Sequence, residues 1–181
     1  MARYETGMCG IAAIFAYRAS APGVVVDELV KINQAMIRRG PDGGSHWISD
    51  DSRVGLAHRR LAIIDPDPRA NQPMVVDQRY WITFNGEIYN YRALRTALMD
   101  EGVAFTTESD TEVLLRLYER DGAEMVHKLR GMFALVIWDY VKRRLFIARD
   151  AFGIKPLYFS DDGTTVRAAS SVKAVRAGGH A

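Results

Sequence analysis

The chain has 181 residues, of which 48% are hydrophobic and 25% charged, and its formal net charge at pH 7 is +2. This length and composition fit one soluble globular domain, and so small a charge gives no indication of nucleic-acid or membrane binding. No apolar stretch approaches the length of a membrane span, and the first eight residues lack the apolar run of a secretory signal. The single cysteine excludes an internal disulfide, so a cytoplasmic protein is expected, and the four scattered histidines predict no metal site.

The N-terminal half is predicted to start with a strand and a helix. The apolar run from Cys9 to Tyr17 is typical of a strand, and apolar residues at helical spacing predict a helix over 25–38. A Gly-Pro-Asp-Gly-Gly turn over 40–44 ends this helix. Further strands are predicted over 45–49, 53–58 and 80–84, with a proline-rich loop over 65–73, and the last strand is expected to break at Asn85-Gly86.

The middle of the chain is helical and the end returns to strands. Asn90 is the expected N-cap of a helix over 91–101, which Gly102 ends. Ser109 is expected to cap the next helix, with Glu112 completing a capping box. A short helix is predicted over 124–129 and strands over 133–138, 144–149, 157–159 and 165–168. Because helices cluster between two groups of strands, we expect an α+β fold of antiparallel sheets covered by helices.

Cys9 is the first candidate for chemistry. If the chain starts at Met8 and this methionine is removed, Cys9 carries both a thiol and a free α-amine. The thiolate is a nucleophile, and an amine with a reference pKa of about 7.7–8.0 can serve as its general base. The alternative is a small buried hydrophobe in a first strand, which describes most free cysteines.

Three further polar positions have both a structural and a functional interpretation. Asn85-Gly86 is typical of a hairpin turn, but an amide and a glycine N–H together can also form an oxyanion hole. Asp110 is either a carboxylate at a helix start or a receptor for an ammonium group. Arg60 is either a solvated arginine or a fork for a carboxylate. Together, these groups suit an amino acid, which carries one carboxylate and one ammonium.

Seven segments, in order along the chain, resemble the glutaminase domain of class II glutamine amidotransferases, most closely that of asparagine synthetases. They are MCGI (8–11), RRGPDGG (38–44), AHRRLAIID (57–65), FNGEIYNY (84–91), ESDTEVLL (108–115), LRGMFALVIWD (129–139) and ARDAFGIKPLYF (148–159).

The resemblance implies an N-terminal-nucleophile hydrolase fold, a four-layer α/β/β/α sandwich of two antiparallel sheets. It implies that Cys9 attacks the side-chain amide of glutamine to form a thioester, with Asn85 and Gly86 holding the oxyanion. Arg60 would take the α-carboxylate of glutamine, and Asp110 would take its α-ammonium, assisted by Glu87. Backbone groups near Leu61 and Ile63 would help to place the substrate. No cofactor is implied for this step.

The chain departs from the family pattern at both ends. Residues 1–8 form an extension, a propeptide or a misassigned start, and while attached they convert the α-amine of Cys9 into an amide. The amidotransferase domain is expected over 9–176, and 177–181 resemble the start of a truncated interdomain connection. Asparagine synthetases continue into an adenylating domain that uses ATP and Mg, and its pyrophosphate motif is absent from this sequence.

Two functions therefore compete. The first is a glutaminase that supplies ammonia to a synthetase domain or subunit, with glutamine as its substrate. The second is a non-catalytic glutamine-binding or assembly module, if the extension before Cys9 is retained. Family members are often dimeric, so a homodimer is compatible with either function.

Overall fold

The computed structural model describes residues 8–60 and 71–179, which form two antiparallel sheets and four α-helices. The strands are β1 (Gly10–Ala16), β2 (Gly43–Ile48), β3 (Val54–Arg60), β4 (Met74–Val76), β5 (Tyr80–Ile88), β6 (Gly131–Asp139), β7 (Arg144–Arg149), β8 (Tyr158–Asp161) and β9 (Thr165–Ala169). The helices are α1 (Val26–Ala35), α2 (Tyr91–Asp100), α3 (Asp110–Asp121) and α4 (Val172–Ala177), with a 3-10 helix over Gly122–Lys128. The strand order is β2-β3-β1-β9-β8 in the first sheet and β4-β5-β6-β7 in the second.

The two sheets face each other across a layer of apolar side chains. Ile11 and Ala13 of β1 pack in this layer against Trp81, Val136 and other residues of the second sheet. Successive side chains of a strand point to opposite faces, so the residues between them point outward. Both faces of β1 are buried, which explains why its sequence is a continuous apolar run rather than an alternating one.

Helices cover the outer faces of both sheets. Leu29 and Ile32 of α1 pack with Ala12 and Ile14 of β1, and α4 joins the same cluster through Val175. On the other side, α3 packs against β4 and β5, and α2 packs against α3. The α+β sandwich predicted from the sequence, with layers α/β/β/α, is confirmed.

Strand β5 corrects one of the predictions. It does not break at Asn85-Gly86 but continues to Ile88, paired with β6 over its whole length. Gly86 lies opposite Phe133, and a Cβ at Gly86 would stand 2.3 Å from the backbone oxygen of Met132. The glycine is therefore required by close approach of the neighbouring strand, and not by a turn.

Two of the predicted caps also differ in detail. The Ser109 side chain caps α3 by accepting a hydrogen bond from the Thr111 N–H at 3.1 Å. Glu112 does not complete a capping box, because its carboxylate accepts hydrogen bonds from the backbone and side chains of Thr106 and Thr107. Asn90 occupies the N-cap position of α2, but its side chain bonds instead to the backbone of Lys128 and Arg130.

Strand β4 and helix α4 were not predicted from the sequence. Most of the loop predicted over 65–73 lies outside the described residues. The three-residue β4 is too short to show a period, and α4 ends at Ala177, within the segment interpreted as a connection. No helix within 8–60 and 71–179 combines the length and the apolar character needed to span a membrane.

Candidate active site

The inner face of β5 carries two of the candidate residues. The Thr83 hydroxyl donates a 3.0 Å hydrogen bond across the sandwich to the backbone oxygen of Ala57 in β3. Thr83 therefore points toward the first sheet, and by the two-residue period Asn85 and Glu87 point the same way. The oxyanion and substrate candidates of this strand thus face the space between the sheets.

The first sheet contributes its candidates to the same space. Cys9 immediately precedes β1 and continues the inward alternation of Ile11 and Ala13. In β3, Leu56 points inward, so Arg60 at the end of this strand shares that face. Strand pairing places Gly10 opposite Arg59, so the start of β1 and the end of β3 lie at one end of the sandwich.

Asn85 is a buried side chain with an orphaned donor. It is 2% exposed, and its Nδ2 atom makes no hydrogen bond to any described residue. Leaving a buried amide donor unsatisfied is costly, and groups of this kind in native structures call for an explanation. A ligand oxygen bound by Nδ2 would supply the missing acceptor.

The backbone N–H of Gly86 points to an edge of the second sheet that β4 does not cover. Along β5, alternate N–H groups point the same way. The Phe84 N–H donates to the side chain of Gln72, and the Ile88 N–H donates to Asp110 Oδ2 at 3.3 Å. By this alternation, the Gly86 N–H lies between these two on the same edge of the sheet.

The pairing of Phe133 supports this orientation. Phe133 lies opposite Gly86 in β6 but directs its own N–H to Asp150 Oδ2 at 3.2 Å. Its backbone oxygen accepts from the Asp150 N–H at 2.8 Å. Because both backbone groups of Phe133 serve Asp150, Gly86 and Phe133 form a non-hydrogen-bonded pair, and the Gly86 N–H points away from β6.

Asp110 begins helix α3 and lies against the end of β5. Burial and the negative charge of Glu87 together raise the pKa of its carboxyl group to about 6, although hydrogen bonds from the N–H groups of Ile88 and Thr111 oppose this shift. Asp110 and Glu87 are therefore near neighbours. A carboxylate with a raised pKa in a cleft is well suited to a cationic partner, which would stabilise its charged form.

Arg60 is only partly buried, and its guanidinium donates a 2.7 Å hydrogen bond to Asn71 Oδ1. Leu61 and Ile63, which were expected to help place a substrate, lie outside the described residues. On the same inner face as Arg60, burial and the charge of Arg60 together lower the pKa of His58 to about 4, although a hydrogen bond from the imidazole to the Phe84 backbone oxygen opposes this shift. His58 is accordingly neutral at pH 7 and contributes no positive charge.

Three residues that were not predicted from the sequence to have a role also shape this end of the sandwich. The first is Gln72, whose side chain accepts from the Phe84 N–H and donates to the Thr111 hydroxyl, and whose backbone oxygen accepts from the Ser45 hydroxyl.

The second is Arg39, which donates to the backbone oxygen of Cys9 at 3.4 Å. The third is Lys155, whose charge interacts with those of Cys9 and Glu87. Arg39 and Lys155 lie within two of the seven segments that resemble the amidotransferase family, whereas Gln72 lies in none of them.

The described parts of the chain contain no group of three or more His, Cys, Asp or Glu residues placed to hold a metal ion. What they bring together is a thiol, an orphaned amide donor, a backbone N–H, an arginine and a carboxylate. These groups can bind an amino acid and stabilise negative charge on an acyl oxygen.

Comparison with known proteins gives a consistent result. A family model described as "Glutamine amidotransferase domain" matches residues 8–180. Asparagine synthetase [glutamine-hydrolyzing] 1 of Bacillus subtilis is 44% identical over 169 residues, which are 93% of this chain and 26% of that protein. A putative asparagine synthetase [glutamine-hydrolyzing] of Mycobacterium tuberculosis is 39% identical over 178 residues, 92% of this chain and 27% of that protein. The chain thus spans about a quarter of the length of these relatives.

Among solved structures, the glutamine phosphoribosylpyrophosphate amidotransferase of B. subtilis superposes with a TM-score of 0.79 at 21% identity, covering 94% of this chain and 44% of that one. At this identity the superposition shows a common fold, the two-sheet sandwich described above.

Proposed function

Because this chain belongs to the glutamine amidotransferase domain family, we propose that it hydrolyses glutamine to glutamate and ammonia through a thioester on Cys9. The observation that carries the proposal is the buried, orphaned Nδ2 of Asn85 beside the edge N–H of Gly86, at the end of the sandwich that holds Cys9. Two hydrogen-bond donors at this point can stabilise the negative charge that develops on the carbonyl oxygen during acyl transfer.

In the first half of the reaction, the Cys9 sulfur attacks the side-chain carbonyl carbon of glutamine. Once the residues before Cys9 have been removed, its α-amine takes the thiol proton, and Asn85 Nδ2 and the Gly86 N–H bind the oxygen that becomes negative. The carbon–nitrogen bond then breaks, and the amine returns the proton to the leaving group, which departs as ammonia. A thioester between Cys9 and the glutamyl group remains.

In the second half, water replaces ammonia. The α-amine takes a proton from the water as the water oxygen attacks the thioester. The carbon–sulfur bond then breaks to release glutamate, and the ammonium returns its proton to the sulfur, which restores the thiol and the free amine. Arg60 holds the α-carboxylate and Asp110 the α-ammonium of the substrate in both halves. Neither half of the hydrolysis uses a cofactor.

The ammonia released from glutamine needs an acceptor, and the relatives indicate which kind. The relatives at 44% and 39% identity are named as glutamine-hydrolysing asparagine synthetases, and they are about four times as long as this chain. We infer that the ammonia serves a synthetase domain or subunit of that type, to which ATP and Mg would bind. Glutamine is the substrate of the present domain in either arrangement.

The test of the oxyanion hole is Asn85→Ala. Removing one donor to a developing oxyanion is expected to lower kcat by about 10²–10³-fold, with a small change in KM. Arg60→Ala should do the reverse and raise chiefly KM, because it removes a contact to the unreactive end of glutamine. Steady-state ammonia release by the two variants separates these effects.

Thr83→Val is the matched control, since it removes a buried polar group two residues away on the same face of β5. It should lower stability through the lost hydrogen bond to Ala57 but leave kcat near that of the unmodified chain. A normal kcat with a much raised KM in Asn85→Ala would contradict the oxyanion assignment.

Glutamine binding is expected to depend on pH through Asp110. Its pKa of about 6 means that the carboxyl group is mostly charged at pH 7 and mostly protonated at pH 5. A protonated carboxyl cannot pair with the substrate ammonium, so the Kd for glutamine should rise about tenfold from pH 7 to pH 5. Calorimetric titration of Cys9→Ala, which binds without turnover, measures this dependence.

The control for this titration is Asp110→Asn, which removes the titrating group. Its affinity should be low at both pH values and nearly independent of pH over this interval. An unchanged pH dependence in Asp110→Asn would assign the titration to another group.

A further inference from the structure

Lys155 is an unusual lysine for its degree of burial. It is 8% exposed, whereas the other lysines in the described residues are exposed. Lysine side chains are rarely buried unless they are paired, because an ammonium group loses its hydration. Its position therefore indicates compensation by opposite charge nearby.

The turn that carries Lys155 is held rigidly by Asp150. The buried Asp150 carboxylate accepts hydrogen bonds from the N–H groups of Phe152, Ile154 and Lys155 within the turn, at 2.9–3.1 Å. Burial raises the pKa of Asp150, but these hydrogen bonds outweigh burial, so its pKa lies below the ordinary value. Pro156 further restricts the backbone of Lys155.

The same carboxylate ties this turn to the oxyanion strand pair. Asp150 Oδ2 also accepts from the Phe133 N–H, and Phe133 is the cross-strand neighbour of Gly86. Lys155 is thus fixed relative to the strand that carries Asn85 and Gly86, rather than placed on an independent loop.

Four charged or ionisable groups interact with the Lys155 ammonium. Burial lowers the pKa of Lys155, and the charge of Arg39 lowers it too, whereas Cys9, Glu87 and Asp150 raise it. Arg39 donates to the backbone of Cys9, so both cations lie beside the nucleophile. Among Cys9, Glu87 and Asp150, the Asp150 carboxylate already accepts hydrogen bonds from backbone N–H groups. Cys9 and Glu87 therefore remain as partners for the ammonium.

We propose that Lys155 is a positioning residue that acts through Cys9, its buried ammonium stabilising the thiolate that attacks the substrate. This inference rests on the proposed function, in which Cys9 is the nucleophile. A neighbouring positive charge favours the thiolate over the thiol, and burial of the ammonium strengthens the interaction by excluding water. A purely structural role would instead be to fill space beneath the turn.

The test is the pH dependence of Cys9 alkylation by iodoacetamide in the full chain, followed by mass spectrometry. Cys9 is the only cysteine, so thiol modification reports this site alone. In Lys155→Met we expect the midpoint of the rate profile to rise by about one pH unit, with an approximately tenfold slower reaction below the midpoint. Lys155→Arg, which keeps the charge, should react with a midpoint near that of the unmodified chain.

Lys142→Met is the matched control, because it removes an exposed lysine beyond the opposite end of β6. Its midpoint should not move. If Lys155→Met fails to fold, Lys155→Gln carries the same test. An unshifted midpoint in the charge-removing variant, or equal shifts in Lys155→Met and Lys155→Arg, would overturn the proposal.

The alkylation assay also separates this proposal from the proposed function. Iodoacetamide requires neither glutamine recognition nor the oxyanion hole, so the midpoint can be measured even in a chain that releases no ammonia. Absence of glutaminase activity with a shifted midpoint would refute the function but retain the role of Lys155 toward Cys9.

Discussion

Cys9→Ala is expected to abolish ammonia release from glutamine, with a fall in kcat of at least about 10⁴-fold. The substitution removes the sulfur on which the acyl group is carried, and no other cysteine exists to replace it. Cys9→Ser should be strongly impaired as well, because an alcohol is a far weaker nucleophile at neutral pH. A coupled assay for ammonia, together with trapping of the thioester, measures both effects.

The fold and the affinity for glutamine should survive the alanine substitution. Cys9 lies outside β1 and is only partly buried, so the change leaves the apolar layer between the sheets intact. Recognition depends on Arg60 and Asp110, so calorimetry should give a Kd close to that of the unmodified chain. Substantial glutaminase activity in Cys9→Ala would rule out the thioester mechanism.

The second large effect concerns the residues before Cys9. A chain that begins at Cys9 should hydrolyse glutamine, whereas one that keeps residues 1–8 should be slower by about 10²–10⁴-fold, the usual contribution of a general base. The physical reason is that an amide nitrogen cannot accept a proton at neutral pH. Activity of the shorter chain should fall as the pH drops through the pKa of its amine, since the ammonium form cannot act as a base.

Intact-mass measurement before and after the assay is the necessary control, because slow removal of the extension would restore activity. A glutamine-like electrophile should modify Cys9 in the shorter chain much faster than in the longer one. Equal activity with the extension verified intact would require another base. Inactivity of both chains would favour the glutamine-binding module, or a site that needs a synthetase domain to become ordered.

The architecture could be predicted because it depends on local patterns. The apolar run of β1, the helical spacing of α1 and the Ser109 cap each act over a few residues, and the structure contains all three. The order of helices and strands along the chain then suffices to favour antiparallel sheets over parallel winding.

The strand break predicted at Asn85-Gly86 was wrong because the glycine is required by a contact with a distant part of the chain. Asn-Gly is a hairpin signal in isolation, yet here the glycine is required by the backbone of Met132, which is far away in sequence. Glu112 and Asn90 differ from their predicted roles for a related reason. Each has a long-range or loop partner that competes with the cap, and neither partner can be identified from helix signals alone.

Only those residues of the candidate site that stand out in a local sequence motif could be predicted. Cys9, Asn85 and Asp110 each combine a reactive or polar group with an identifiable position in an element, so the sequence indicated them. Gln72 and Lys155 instead act through contacts between elements that are distant in the sequence. No spacing rule relates residue 155 to residue 9, and the fold alone brings them together.

The central position of β1 has a consequence for the dynamics of the nucleophile. Chain ends usually fray, and a reactive group on a terminal residue would share that disorder. Here β1 is hydrogen-bonded on one side to β3 and on the other to β9, and the Ile11 N–H is also bound by the Ser170 hydroxyl at 3.0 Å. Releasing this strand would disrupt two ladders at once, so its local opening approaches the free energy of global unfolding. Cys9 is therefore anchored to one of the most slowly exchanging segments expected in the domain.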